Sequence, residues 1–238
     1  MTQPLANNHI SVDDVVIGFD GAALRVLLIR RTGSDNTGVD YNDMKLPGSL
    51  IYMDEDLDEA ASRVLTELTG VKNVSLTQFK AFGSKDRTND PRDIHWLERA
   101  QQAHVERIVT VGYFAIVKLD STLIRTTRRE SAVWVPIDAV GTLAFDHNLI
   151  IQEALKAIRT EIENNRALLF DLLPKKFTAL QLRLLTEIIY GKELDVRNFH
   201  KKLAQMPYVV ALEERQKGVA HRAARFYKFD RKAFNASR

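Results

Sequence analysis

The stretch Lys45–Val71, "KLPGSLIYMDEDLDEAASRVLTELTGV", decides how the front of the chain is read. Leu46-Pro47-Gly48 opens a short apolar run, and the acidic segment Asp54–Asp58 then leads into a helical pattern. Leu57, Ala60, Ala61, Val64, Leu65 and Leu68 recur at helical spacing, so they share one apolar face, and Gly70 is a C-terminal stop. Positions 64, 67 and 68 stand i, i+3 and i+4 apart and share a side of that helix. Of the three, Glu67 alone is charged.

The surroundings alternate like a sheet. Ile10–Asp20 and Leu24–Arg31 flank Gly21 and predict paired strands, and Lys45–Ile51 predicts a third. "SLTQFKAFGS" and Arg107–Leu119 predict two more, separated by a long polar insertion that contains "DPRD" and Trp96. "AVWVPI" predicts another short strand, and His147–Asn164 an amphipathic helix. Antiparallel strands with separated helices make this an α+β pattern. After Asn165 alternation gives way to helical periodicity. Thr178 with Gln181 forms a capping box for a helix ending at Gly191, and Asp195 caps a second, Val196–Gln205. "PYVVALEE" and "ARFYKFD" then predict two strands joined by a basic loop. We place a domain boundary near 165, dividing the chain into residues 1–165 and 166–238.

Composition narrows the function classes. The chain of 238 residues is 45% apolar and 27% charged, as expected of a globular protein, and has no apolar run able to cross a bilayer. No signal-peptide pattern opens it, and the lack of cysteine excludes disulfides and thiolate metal sites, so a cytoplasmic location is expected. The net charge of +3 conceals a division, with residues 166–238 at +9 and the remainder at −6. A basic back joined to an acidic front points to a polyanionic partner for the back.

Residues 10–165 resemble a Nudix domain. The family's box, G-x5-E-x7-R-E-x-x-E-E-x-G after Leu-Pro-Gly, is matched here by Leu46-Pro47-Gly48, Glu55, Arg63, Glu67 and Gly70. Ser49 stands at the box glycine, and Val64 and Leu68 stand where the family carries glutamates. "WVPID…LAFDHNLII" also resembles the family's closing segment. Three carboxylates on one helix face would hold Mg²⁺, which neutralises a diphosphate and activates water. With one left, metal-dependent hydrolysis is not expected, and neither cofactor nor metal is assigned. The cleft is expected to bind an effector through Arg30, Tyr41, Asp43, Lys45 and Glu67, with the Val64/Leu68 face as apolar wall.

The order helix, helix, two strands with a basic tip is that of a winged helix. On its second helix Phe199 and Leu203 form the buried side, while Arg197, Asn198, His200, Lys201 and Lys202 are available to bases and phosphates. The wing adds Lys217, His221, Arg222 and Arg225. Nearly the whole chain resembles the bacterial Nudix-related transcriptional regulators, on "LLPKKFTALQLRLLTEIIYGKELDVRNFHKK" and "HRAARFYKFD". The resemblance implies a homodimeric repressor on an inverted-repeat, double-stranded DNA operator, released by a small molecule. One branch of that family senses sugars, so a pentose such as arabinose is the expected effector, a neutral sugar needing no metal. The alternatives are an ADP-ribose-sensing regulator of NAD metabolism, a Nudix pyrophosphatase with an accessory basic domain, and an RNA-binding or scaffolding protein.

Overall fold

A computed structural model describes residues 5–34, 38, 40–101, 107–129, 132–218 and 223–237. The elements follow in the order β1 (Ala6–Phe19), β2 (Leu24–Ser34), β3 (Asp40–Lys45), β4 (Gly48–Tyr52), α1 (Leu57–Thr69), β5 (Thr77–Phe82), α2 (Pro91–Gln101) and β6 (Val109–Lys118). Then come α3 (Ser121–Arg129), β7 (Ala132–Pro136), a 3-10 turn (Ile137–Ala139), α4 (His147–Asn164), α5 (Ala167–Leu172), β8 (Phe177–Thr178) and α6 (Ala179–Tyr190). The chain ends with α7 (Val196–Ala204), β9 (Val209–Arg215), β10 (Arg225–Phe229) and α8 (Arg231–Ala236).

This is the α+β architecture that the sequence predicts: a mixed sheet with flanking helices, followed by a winged helix. Seven strands form the first sheet in the order β3-β2-β1-β6-β5, with β4 also paired to β1 and β7 to β2. The second sheet is β8-β10-β9. Packing divides the chain into two units: Met1–Ile17, Arg25–Ile116 and Ser121–Ile158 form one, and Gly18–Leu24, Val117–Asp120 and Arg159–Arg238 the other.

Several details differ from the sequence reading. The expected strand Lys45–Ile51 is split at Leu46-Pro47, because proline has no N–H to donate to a ladder: Lys45 ends β3, while β4 turns back to pair with β1. Between the expected strands Leu24–Arg31 and Lys45–Ile51 the chain also forms most of β3, in register with β2 so that Arg31 faces Asp43. The polar insertion contains a helix, α2, and α3 and α8 are also helices that the reading did not include.

Helix α1 follows from its sequence. Asp56 and Glu59 form a capping box at its start, and Gly70 closes it in the left-handed region at φ 70°. Its apolar face enters a cluster formed by Val12, Ile51, Ala60, Ala61, Val64, Val111 and Tyr113, with Leu68 packed against the edge.

Gly48 is required by close approach. It pairs with Asp13 across the β1–β4 ladder, and a Cβ there would stand 1.9 Å from Asp13 Oδ1. The Asp13 side chain is buried and held by other contacts, so it cannot yield at small cost. Gly48→Ala is therefore expected to destabilise the fold by about 1–3 kcal/mol and to lower its thermal midpoint by several degrees. An unchanged midpoint in a calorimetric scan would overturn this account.

Candidate functional site

Two carboxylates in the middle of an apolar strand begin the site. Asp13 and Asp14 are both buried in β1, where an unpaired charge is costly. Asp13 is answered by His147 Nε2 at 3.3 Å and by Arg87 Nη2 at 3.6 Å. His147 Nδ1 accepts the Leu46 backbone N–H at 2.9 Å, which leaves Nε2 to carry the proton and donate it to Asp13. Burial pushes the Asp13 carboxyl up, but His147 and then Arg87 outweigh it and hold it below the ordinary range. Neither oxygen of Asp14 has a hydrogen-bond partner among the described residues. Burial, reinforced by Asp13 and opposed by Lys45, raises its carboxyl well above the ordinary range and favours the neutral acid.

Lys45 ends β3 with its ammonium buried, donating to Gly48 O at 2.8 Å and Leu46 O at 3.1 Å. It lies 5.1 Å from the centre of the Trp96 ring. The insertion supplies that ring: α2 brings Trp96 and Leu97 to the site, and the segment before it brings Arg87. Arg87 donates to both oxygens of Asp146, at 2.9 and 3.2 Å. Arg31 donates to both oxygens of Asp43, at 2.7 and 2.6 Å, and to Asp93 of α2 at 2.6 Å. The other oxygen of Asp93 accepts the Phe145 N–H at 2.8 Å. Phe145 sits in the left-handed region at φ 55°, a costly conformation for a residue with a side chain, held by this bond beside Trp96 and His147.

These groups border two cavities. One, of about 30 Å³, lies among Asp13, Lys45, Trp96, Phe145 and His147. The other, of about 390 Å³, is lined by Arg31, Asp43, Arg87, Asn89 and Arg92 among others, and shares Arg87 and Phe145 with the first.

The expected effector residues are thus divided. Tyr41, Asp43 and Lys45 belong to the cluster, Tyr41 as a buried ring 5.0 Å from the Arg31 guanidinium. Arg30 is exposed, one residue out of phase: the inward arginine is Arg31. Glu67 is exposed, bonded to Arg63 at 3.2 Å, and lines neither of these cavities. Val64 does not form a ligand wall, because it is fully buried against β1 and β6; Trp96 and Phe145 supply apolar surface at the site instead. Sequence reasoning missed Asp13, Asp14, Arg31, Arg87, Phe145 and His147, whereas Asp93 lies in the "DPRD" stretch noted in the insertion. The consecutive acids in "SVDDVVIGF" were an available signal, since buried carboxylates demand cationic or hydrogen-bonding partners.

The box helix does not fit a divalent ion. Arg63 Nε and Nη2 donate to the Glu55 carboxylate at 2.7 and 2.5 Å, so the first acid is committed to a structural pair and held below its ordinary pKa. Val64 is core, and no group of three or more His, Asp or Glu residues able to hold a metal occurs among the described residues.

In the second unit, Phe199 and Leu203 are buried while Arg197, Asn198, His200, Lys201 and Lys202 are exposed on α7. Asp195 caps the helix by accepting the Asn198 N–H at 2.8 Å. Lys217 and Arg225 are exposed beside the wing, while His221 and Arg222 lie outside the described residues. No helix among the described residues is long and apolar enough to cross a membrane.

Comparison with known proteins places these features. The family model for the NUDIX domain matches residues 7–157, and that for the NrtR DNA-binding winged helix domain matches residues 169–229. The chain is 28% identical over 224 residues, 92% of its length and 81% of the relative's, to the ADPR responsive transcriptional repressor NtrR of Acinetobacter baylyi. Its fold matches the crystal structure of Shewanella oneidensis NrtR complexed with a 27mer DNA, with a TM-score of 0.62, 21% identity and 95% of each chain covered. A MutT/nudix family protein from Enterococcus faecalis matches with a TM-score of 0.59 and 25% identity, over 94% of this chain and 88% of that one.

Lys45 gives the site a measurable pH signature. Burial pushes its ammonium down from 10.5 to about 8, with Asp13 opposing. Between those values the unfolded chain binds a proton that the folded chain does not, so this group's contribution makes stability rise with pH. The unfolding free energy of the native protein, measured relative to Lys45→Met, should therefore increase from pH 8 to pH 10. A flat difference would mean that Lys45 is not held as described.

Proposed function

The chain belongs to the Nudix family, and from that premise we propose that it is a DNA-binding transcriptional repressor whose Nudix domain senses a small molecule instead of hydrolysing one. The observation that carries the reading is the similarity to a named repressor along 92% of the chain. The winged helix is of the NrtR type, and α7 has the required division into a seated apolar side and an exposed side of Arg, Asn, His and Lys. The two replaced box positions, Val64 in the core and Leu68 packed against it, and the pairing of Glu55 with Arg63 support sensing over metal-dependent hydrolysis.

ADP-ribose is the effector we assign. The relative is named for its response to that molecule, whereas the pentose expected from the sequence finds no support among the relatives. The sequence argument against a diphosphate rested on the lost metal face. Arginine offers another route, because a guanidinium recognises phosphate through two parallel hydrogen bonds. Arg31, Arg87 and Arg92 all line the 390 Å³ cavity, paired with carboxylates that a bound diphosphate would replace. The protein acts as a homodimer on an inverted repeat, with two copies of α7 about one DNA turn apart.

An operator selected from a randomised duplex library, followed by anisotropy titrations with ADP-ribose and L-arabinose, tests this reading. ADP-ribose should weaken operator binding by about 10-fold or more, and arabinose should not. Release by arabinose alone would restore the pentose, and ADP-ribose cleavage at an ordinary enzyme rate would overturn the sensor. On the DNA side, Arg197→Ala should reduce discrimination between operator and unrelated sequence. Lys202→Ala should weaken both and lower the salt slope by ~1. Neither variant changing DNA affinity would remove α7 as the recognition helix.

A further inference from the structure

The helices of the second unit leave a space between them. α5 has six residues and α6 twelve, so α5 runs ~9 Å against ~18 Å. A cavity of about 440 Å³ lies between these helices and α7. It is open to solvent on one side, and its volume falls within the range of roughly 300–1,000 Å³ typical of small-molecule sites.

Its lining has two chemical characters. Leu169, Phe170, Leu182 and Phe199 supply buried apolar surface. Tyr190 and Tyr208 also line it, and among the described residues neither phenol has a hydrogen-bond partner. Three exposed cations, Arg166, Lys192 and Lys202, border the cavity, and none is ion-paired with a described residue. The two carboxylates there, Glu193 and Asp195 (which also caps α7), leave the three cations one positive charge in excess.

We propose that this cavity is a second ligand site, which takes a small carboxylate with an apolar aromatic or aliphatic body. The body is buried among the leucine and phenylalanine side chains, where apolar surface leaves water. The carboxylate is met by Arg166, Lys192 and Lys202 in charge-assisted bonds, with the phenols as further donors. Asn198, Phe199 and Lys202 belong to α7, so an occupant acts on the helix assigned to DNA. It engages the Lys202 ammonium otherwise available to phosphate and packs on Phe199, which seats the helix. The site itself does not depend on the effector assigned to the Nudix domain; only its coupling to DNA rests on the repressor reading.

The test is a titration of the ¹⁵N-labelled full-length chain with octanoate and phenylacetate, with octanol as the uncharged control. Either carboxylate should give saturable amide shifts concentrated in α5, α6 and α7, and octanol should bind several-fold more weakly. The surface double variant Arg166→Gln/Lys192→Gln should weaken carboxylate binding by about fivefold or more while leaving operator affinity unchanged. Absence of saturable shifts with both carboxylates, equal binding of octanol, or an unaffected double variant would overturn the site. In parallel, saturating octanoate should weaken binding to the selected operator. Carboxylate shifts without any change in DNA affinity would retain the site and overturn its coupling to α7.

Discussion

A buried aspartate lying over a glycine holds the front unit together. Asp13 occupies the space that any side chain at position 48 would take, and from there it reaches His147 and Arg87. His147 begins α4 and accepts the Leu46 N–H from the turn between β3 and β4, while Arg87 in the insertion is paired with Asp146. One carboxylate thus ties together four stretches of chain that are distant in sequence. Burying a charge is unfavourable unless it is paired and hydrogen-bonded, so each partner is constrained by the others. The Leu-Pro-Gly turn is therefore part of an electrostatic network as well as a turn.

Helix α1 differs from the hydrolytic pattern that the unit resembles. The helix that would carry a metal has given two positions to apolar side chains, and Val64 now packs in the core. The box acids Glu55 and Glu67 serve Arg63, which donates to both and also to Leu50 O at 3.2 Å. Polar chemistry lies instead around Lys45, Arg31 and the insertion, where cations meet carboxylates and aromatic rings. In the proposed function, such a cluster meets a ligand by exchanging ion-pair partners. A metal face would need converging carboxylates, which α1 does not offer.

The second unit works on a different principle. Its aromatic cluster joins Phe170, Tyr208, Phe229 and Phe234, with the Phe170 and Phe229 rings stacked at 4.3 Å, so a short α5 is anchored to β10. That anchoring leaves α7 free to present its charged side, with only Phe199 and Leu203 turned inward. The concentration of positive charge after residue 165 is a surface property, and the fold converts it into an oriented one.

Local patterns were legible from residues alone. The capping box of α6, the glycine stops at 70 and 191, and the buried pair Phe199/Leu203 all follow from spacings within a turn or two of helix. The charge division between front and back was legible for the same reason, since composition requires no fold. The fate of Arg30 and Arg31 was not: a one-residue shift in a strand reverses its faces, and the register with Asp43 is set by β3. Nor could the sequence place Trp96 over Lys45, or His147 on Asp13, because those pairs join residues 51 and 134 positions apart. Periodicity reports which side of an element is apolar. Which polar groups share a buried space is decided by how the elements pack, and there the requirement to pair buried charges selects the partners.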